Sequence, residues 1–248
     1  MTNHYIRDTL KDVLKHTHGL GIYEMVKITG EVDSTSIETV DEQKTVIFKG
    51  TMNTPVPEFV DATFGLSRMG VLDGYLKYPG FSDDDAKVNV IKQTRNGEEV
   101  PCEVEFISPE GTDAHYRFML PEIINQQLKE IKFKGAAFDV ELSPTAKNRS
   151  DLMYFNSVLS QFEGYFMPKT ENGALYFYIG DNSGDRTKVL INNNVDGDIN
   201  HDFKWPLDIV LKILRLGDNA MLSFAKGLLQ IKVISEFGEY TYLLPSKN

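Results

Sequence analysis

Cysteine is nearly absent from the 248-residue chain: Cys102 stands alone. One thiol cannot close an intrachain disulfide or build a cysteine-based metal cluster. Long apolar runs are missing too, so no segment reads as a membrane-spanning helix. The first residues, Met1-Thr2-Asn3-His4-Tyr5, lack the basic-then-apolar order of a signal peptide. The expectation is a cytoplasmic protein with no membrane partner. Positive charge is short as well, with 26 Lys and Arg against 36 Asp and Glu and a net charge of -10. An evenly acidic surface repels nucleic acid, so any contact with it must rest on local clusters of cations.

Chemical motifs are equally scarce. The five histidines have no metal-ligand spacing. There is no Gly-rich phosphate loop, no Gly-x-Ser-x-Gly and no His-Glu-x-x-His. Asp181-Asn182-Ser183-Gly184-Asp185 and Asp196-Gly197-Asp198 lack the oxygen spacing and closing Glu of a calcium loop, so they read as turns. Asp83-Asp84-Asp85 reads as a solvated turn. No catalytic residue, metal or cofactor is expected. An acidic pair for glycoside hydrolysis stays open, because distant carboxylates can meet in space.

What the chain does contain is a repeat. Tyr116-Arg117-Phe118-Met119-Leu120-Pro121 reappears as Tyr240-Thr241-Tyr242-Leu243-Leu244-Pro245. Self-similarity of this kind points to a duplicated domain. With 41% hydrophobic and 25% charged residues, either half can bury a core of its own. The expected class is α+β, with domains at 1–120 and 136–248 and a connector at 121–135. Apolar spacing predicts a helix over 5–17, with Ile6, Leu10, Val13, Leu14 and Thr17 inward. A second helix is predicted over 66–78 and stopped by Pro79-Gly80. Alternation reads as strands over the stretch to about residue 60, with runs at 22–28 and 45–49, and predicts further strands at 87–91, 100–106 and from Tyr116, with a hairpin turn at Arg95-Asn96-Gly97-Glu98.

The connector, where Ile123, Ile124, Leu128 and Ile131 sit among polar residues such as Lys134, reads as the weakest segment for regular structure, with apolar purchase on the body rather than a free tether. In the second half a strand is predicted at 138–142. Ser143-Pro144 then opens a helix whose stripe is Leu152, Phe155, Leu159 and Phe162. Strands follow at 174–179 and 188–191, a helix at 206–216, and strands at 220–224, 228–234 and from Tyr240.

Cations gather on the polar sides of these helices. Arg7, Lys11 and Lys15 lie four apart on the first, with His4 and His18 in register. Lys204, Lys212 and Arg215 are assigned to the last helix, Arg68 and Lys77 to the second, and Lys147 and Arg149 to the third. A solvated face explains each stripe taken singly. Recurrence in two halves of an acidic chain makes phosphate contact an equal reading.

A helix-strand-helix-strand module that closes on Tyr-x-x-Leu-x-Pro, repeated once, resembles the sliding DNA clamps. Residues 239–246 are similar to the C-terminal end of the archaeal and eukaryotic clamps, the PCNA kind. The first helix near residue 3 and the longer first half look like the clamps of T-even-type phages, in which case the cytoplasm is that of the host cell. The resemblance implies a homotrimeric ring of two-domain subunits, with antiparallel sheets outside and two helices per domain on the inner face. Such a ring has no catalytic activity. It encircles double-stranded DNA without reading sequence, is placed there by a clamp loader and acts as the processivity factor of a DNA polymerase.

The resemblance also makes the cations named above DNA-facing. It pairs residues 114–119 of one subunit (Tyr116, Phe118) with 175–179 of the next (Tyr176, Tyr178), where an internal sheet is the plain alternative. It places a partner-peptide pocket at Ile123, Ile124, Leu244 and Pro245, where the isoleucines could equally just pin the connector. The rival readings are an acidic β-rich carbohydrate hydrolase and a structural virion protein.

Overall fold

A computed structural model describes residues 2–95, 97–129, 133, 135–180 and 183–247. The chain forms two compact units. Unit 1 comprises Met1–Lys132 and Ser235–Tyr240, and unit 2 comprises Phe133–Ile234 and Thr241–Asn248. A linear division of the chain assigns 235–240 to the second half, whereas the fold gives it to the first.

Unit 1 runs α1 (Thr2–His16), β1 (Met25–Gly30), β2 (Thr35–Val40), β3 (Ile47–Met52), β4 (Ala62–Ser67), α2 (Met69–Lys77), α3 (Pro79–Ser82), β5 (Lys87–Arg95), β6 (Glu98–Ile107), β7 (Asp113–Arg117) and α4 (Pro121–Gln127). Unit 2 runs β8 (Val140–Leu142), α5 (Ala146–Leu159), β9 (Tyr165–Glu171), β10 (Ala174–Ile179), β11 (Thr187–Asn192), β12 (Trp205–Pro206), α6 (Leu207–Leu214), β13 (Met221–Ala225) and β14 (Leu228–Ile234). The last strand, β15 (Gly238–Pro245), begins in unit 1 and ends in unit 2.

The duplication lies in the topology. Unit 1 orders four strands β4-β1-β2-β3 and unit 2 orders four as β12-β9-β10-β11. In each, a helix precedes the first strand and follows the fourth. Unit 1 then adds the sheet β5-β6-β7, and unit 2 the run β15-β14-β13-β8.

The helical stripes pack as their spacing requires. Ile6, Leu10, Val13 and Leu14 of α1 are buried, as are Leu207, Val210, Leu211 and Leu214 of α6. Thr17 closes α1 by donating its hydroxyl to the Val13 carbonyl at 2.6 Å. In the β5–β6 hairpin Arg95 pairs with Glu98, and Gly97 has φ +88°, a conformation that favours glycine. Asn96 lies outside the described residues.

Several expectations shift. The helix predicted from 66 starts at Met69: Leu66 pairs with Val26 inside β4, and Arg68 turns the chain with φ 52°. Pro79 ends α2 but also opens α3, where its missing N–H costs nothing. Residues 121–127 of the connector are helical. Pro121 starts α4, Ile124 is buried, and Glu122 lies 3.4 Å from Arg95. Gly65 lets α4 approach closely, since a Cβ there would sit 3.0 Å from the Ile124 side chain. Ile131 and Lys134 lie outside the described residues.

In unit 2 the third helix begins two residues after Ser143-Pro144. Thr145 caps it in a reciprocal box with Asn148. Phe162 lies beyond its end and is exposed. Strands β4, β9 and β12 have no counterpart in the sequence reading, and β2 falls in the stretch to about residue 60 that reads as strand-like without bounds. The first Leu-Pro run is only partly strand: β7 stops at Arg117, and Met119 then bridges Gly65.

Segment 235–240 docks on unit 1 through polar contacts. Ser235 and Tyr240 each donate a hydroxyl to the Asp12 carboxylate at 2.6 Å. The Tyr240 ring stacks on His16, centroids 3.8 Å apart. Gly50 leaves room for that ring, since a Cβ would meet it at 2.8 Å. In unit 2 the core centres on Trp205, which is fully buried. It packs edge-on to Phe224 and donates its indole N–H to the Leu244 carbonyl at 2.8 Å.

Candidate functional site

The cations assigned from sequence sort into three groups. Lys11 and Lys15 on α1, Arg68 before α2, and Lys212 and Arg215 at the end of α6 reach solvent in whole or part. Lys77, Lys147, Arg149 and Lys204 are engaged by acids: Asp73 at 2.6 Å, Asp151 at 2.5 Å, Asp218 at 2.6 Å and Glu163 at 3.6 Å. Lys204 also precedes β12 and so is not on α6.

Arg7 forms the third group. It is buried and donates to the Ser82 and Asp83 carbonyls at 3.1 and 3.0 Å. A helix advances 100° per residue, so each four-residue step drifts by roughly 40°. That drift carries Arg7 off the Lys11/Lys15 face and against the turn after α3. Its work is structural. The side chain of His4 is not described.

The proposed peptide residues divide between the units. In unit 1, Ile123 is exposed and Ile124 is buried. In unit 2, Leu244 is buried and Pro245 is exposed. Sequence reasoning missed a small pocket within unit 1. Val40 and Ile47, partners across β2 and β3, line it with Leu128, which follows α4. Lys27, Glu38 and Lys49 ring it, with Glu38 at 3.5 and 3.2 Å from the two lysines. Its free volume of about 10 Å³ holds no more than one water, so an apolar anchor enters only where Leu128 gives way. Leu128 carried the one signal, as an apolar connector residue with purchase on the body, but nothing in its spacing announced a pocket.

The edge strands also differ from expectation. Tyr116 and Phe118 are core residues of unit 1. The Tyr116 hydroxyl donates to the Ser67 carbonyl, and Phe118 stacks on Phe64 at 4.2 Å. Burial pushes the Tyr116 phenol up to about 12, against a smaller downward effect from Arg68. β10 is hydrogen-bonded on both sides, by β9 and β11, which leaves it no edge for a second subunit. The end strand of that sheet is β11, and β7 is the end strand of its own. On β10, Tyr178 donates to Glu171, which Lys188 also approaches. The Lys188 ammonium sits over the Tyr176 ring at 3.8 Å.

No family model matches the chain, and no curated protein matches it. Solved structures do. PCNA from Thermococcus kodakaraensis is 14% identical with a TM-score of 0.66, covering 96% of this chain and 96% of that one. A. fulgidus PCNA, solved with the C-terminal region of FEN-1 bound, is 11% identical with a TM-score of 0.67, covering 98% of this chain and 96% of that one.

The chain has a PCNA-like clamp fold. The match spans both units, so the whole repeat belongs to the clamp architecture. Among the described residues no group of three His, Cys, Asp or Glu is placed to hold a metal ion. No described helix is long and apolar enough to cross a membrane.

Proposed function

We propose that the protein is a sliding clamp: three copies close into a ring around duplex DNA and tether a DNA polymerase to it. The observation that carries this reading is the duplicated topology, matched to clamps over almost the full chain. Cations at the solvent faces of α1, α2 and α6 suit phosphate contact without base reading, which permits sliding. The net charge of -10 keeps DNA off the remaining surface.

Ring closure would pair the end strands β7 and β11 of neighbouring subunits, which also hides two edges. This moves the pairing one strand along from β10. The β11 side carries an exposed Leu190, and α5 lies along it through the Asn148 amide on the Leu190 carbonyl at 3.3 Å. A. fulgidus PCNA takes the C-terminal region of FEN-1. Here an apolar anchor from the polymerase, the clamp loader or other partners would displace Leu128 from its place against Val40 and Ile47. The ring itself carries out no bond chemistry.

Encirclement is tested topologically. Protein loaded on nicked circular DNA should stay bound through high-salt gel filtration and be lost once the circle is cut. Retention that ignores whether the DNA is circular or linear contradicts the proposal.

A further inference from the structure

We propose that, of the two long helices, α1 carries the phosphate contact and α5 does not. The inference rests on the clamp reading and refines it. On α1, Lys11 and Lys15 make no ion pair among the described residues. The acids of the same helix have other partners. Asp8 lies 3.4 Å from Arg7, and Asp12 turns inward to Ser235 and Tyr240. Both of these acids and Glu236 border the far flank of the two lysines. On their near flank a groove runs between α1 and α2. Leu14, Leu76 and Gly19 form its floor, and Lys11, Lys15 and His18 its rim. The Asp73–Lys77 pair on α2 faces this rim without adding net charge. An apolar floor under a cationic rim matches a sugar-phosphate unit: the deoxyribose lies on the leucines and the phosphate meets the ammonium groups.

α5 holds the same place in the second repeat but is built otherwise. Lys147, Asp151, Tyr154 and Val158 fall on one face, spaced by four, three and four. Lys147 is paired to Asp151. Tyr154 and Val158 are 65% and 51% exposed and bring no charge. Arg149 lies on another face with its guanidinium held by Asp218, through the carboxylate at 2.6 Å and the carbonyl at 3.3 Å. A phosphate approaching this helix meets one acid for each cation. Contact there displaces no net counterion and gains no salt-dependent affinity. The two long helices thereby differ, with unbalanced cations on α1 and a charge-balanced face on α5.

The test is binding of a short labelled DNA duplex, followed by fluorescence anisotropy over a salt series. Three proteins are compared: the natural chain, Lys11→Ala/Lys15→Ala, and Lys147→Gln/Arg149→Gln, each checked for folding by thermal melting. The first variant should lose about 0.9 of the log–log salt slope for every phosphate contact removed, and the second should keep the natural slope. Equal losses in both, or an unchanged slope in the α1 variant, overturn the inference and leave the clamp reading standing. Absence of salt-dependent binding by the natural chain also overturns the inference, while the clamp reading is judged separately by retention on circular DNA.

Discussion

Acidification from pH 6.5 to about 4 is expected to remove roughly 3 kcal/mol of stability from unit 1 through His16 alone. The imidazole is fully buried, and burial pushes its pKa down from 6.5 to about 4. The Asp12 carboxylate, 3.8 Å from Nε2, opposes that shift, and Lys15 adds to it. In the unfolded chain the ring titrates at its ordinary value. Between the two values only the unfolded state takes up the proton, so stability is full above pH 6.5, falls through the window and levels off below about 4. Urea unfolding at several pH values measures the slope. His16→Gln should flatten it, and a slope equal to that of the natural chain would remove His16 as its source. The loss would be felt where segment 235–240 docks, since Tyr240 both stacks on His16 and donates to Asp12.

Trp205→Ala is expected to cost roughly 4 kcal/mol in unit 2. The ring is fully buried against Phe166 and Phe224, so its removal leaves a cavity that neighbouring β-sheet residues cannot close. Trp205→Phe keeps most of the apolar contact but leaves the Leu244 carbonyl without its donor. That loss should cost about 1–3 kcal/mol. Denaturant melts followed by circular dichroism compare the two. Equal, small losses would show that the indole is not the centre of this core. Trp205 is the chain's one tryptophan, so its fluorescence in the natural chain follows unit 2.

How far the sequence could be read depended on whether a feature was local. The inward stripes of α1 and α6 were legible because apolar residues recur at helical spacing and nothing distant alters which face they mark. The repeat was legible from its second copy, which is strand throughout, while the first copy bends away to start α4. Features that depend on partners far along the chain were hidden. Arg149 and Asp218 are 69 positions apart, so nothing near Arg149 announces that its charge is engaged. Asp12 meets Ser235 across 223 positions. β10 reads as a good pairing strand, and it is one, but its partners β9 and β11 use both its edges. The helix α4 was missed because its polar composition has no stripe. Pro121 and one buried isoleucine suffice to hold it on β4.

A clamp must close into a ring from copies of this chain. Sedimentation equilibrium at micromolar concentration measures that directly. The prediction is a single species of three times 28.1 kDa, and a species that stays at 28.1 kDa would contradict it.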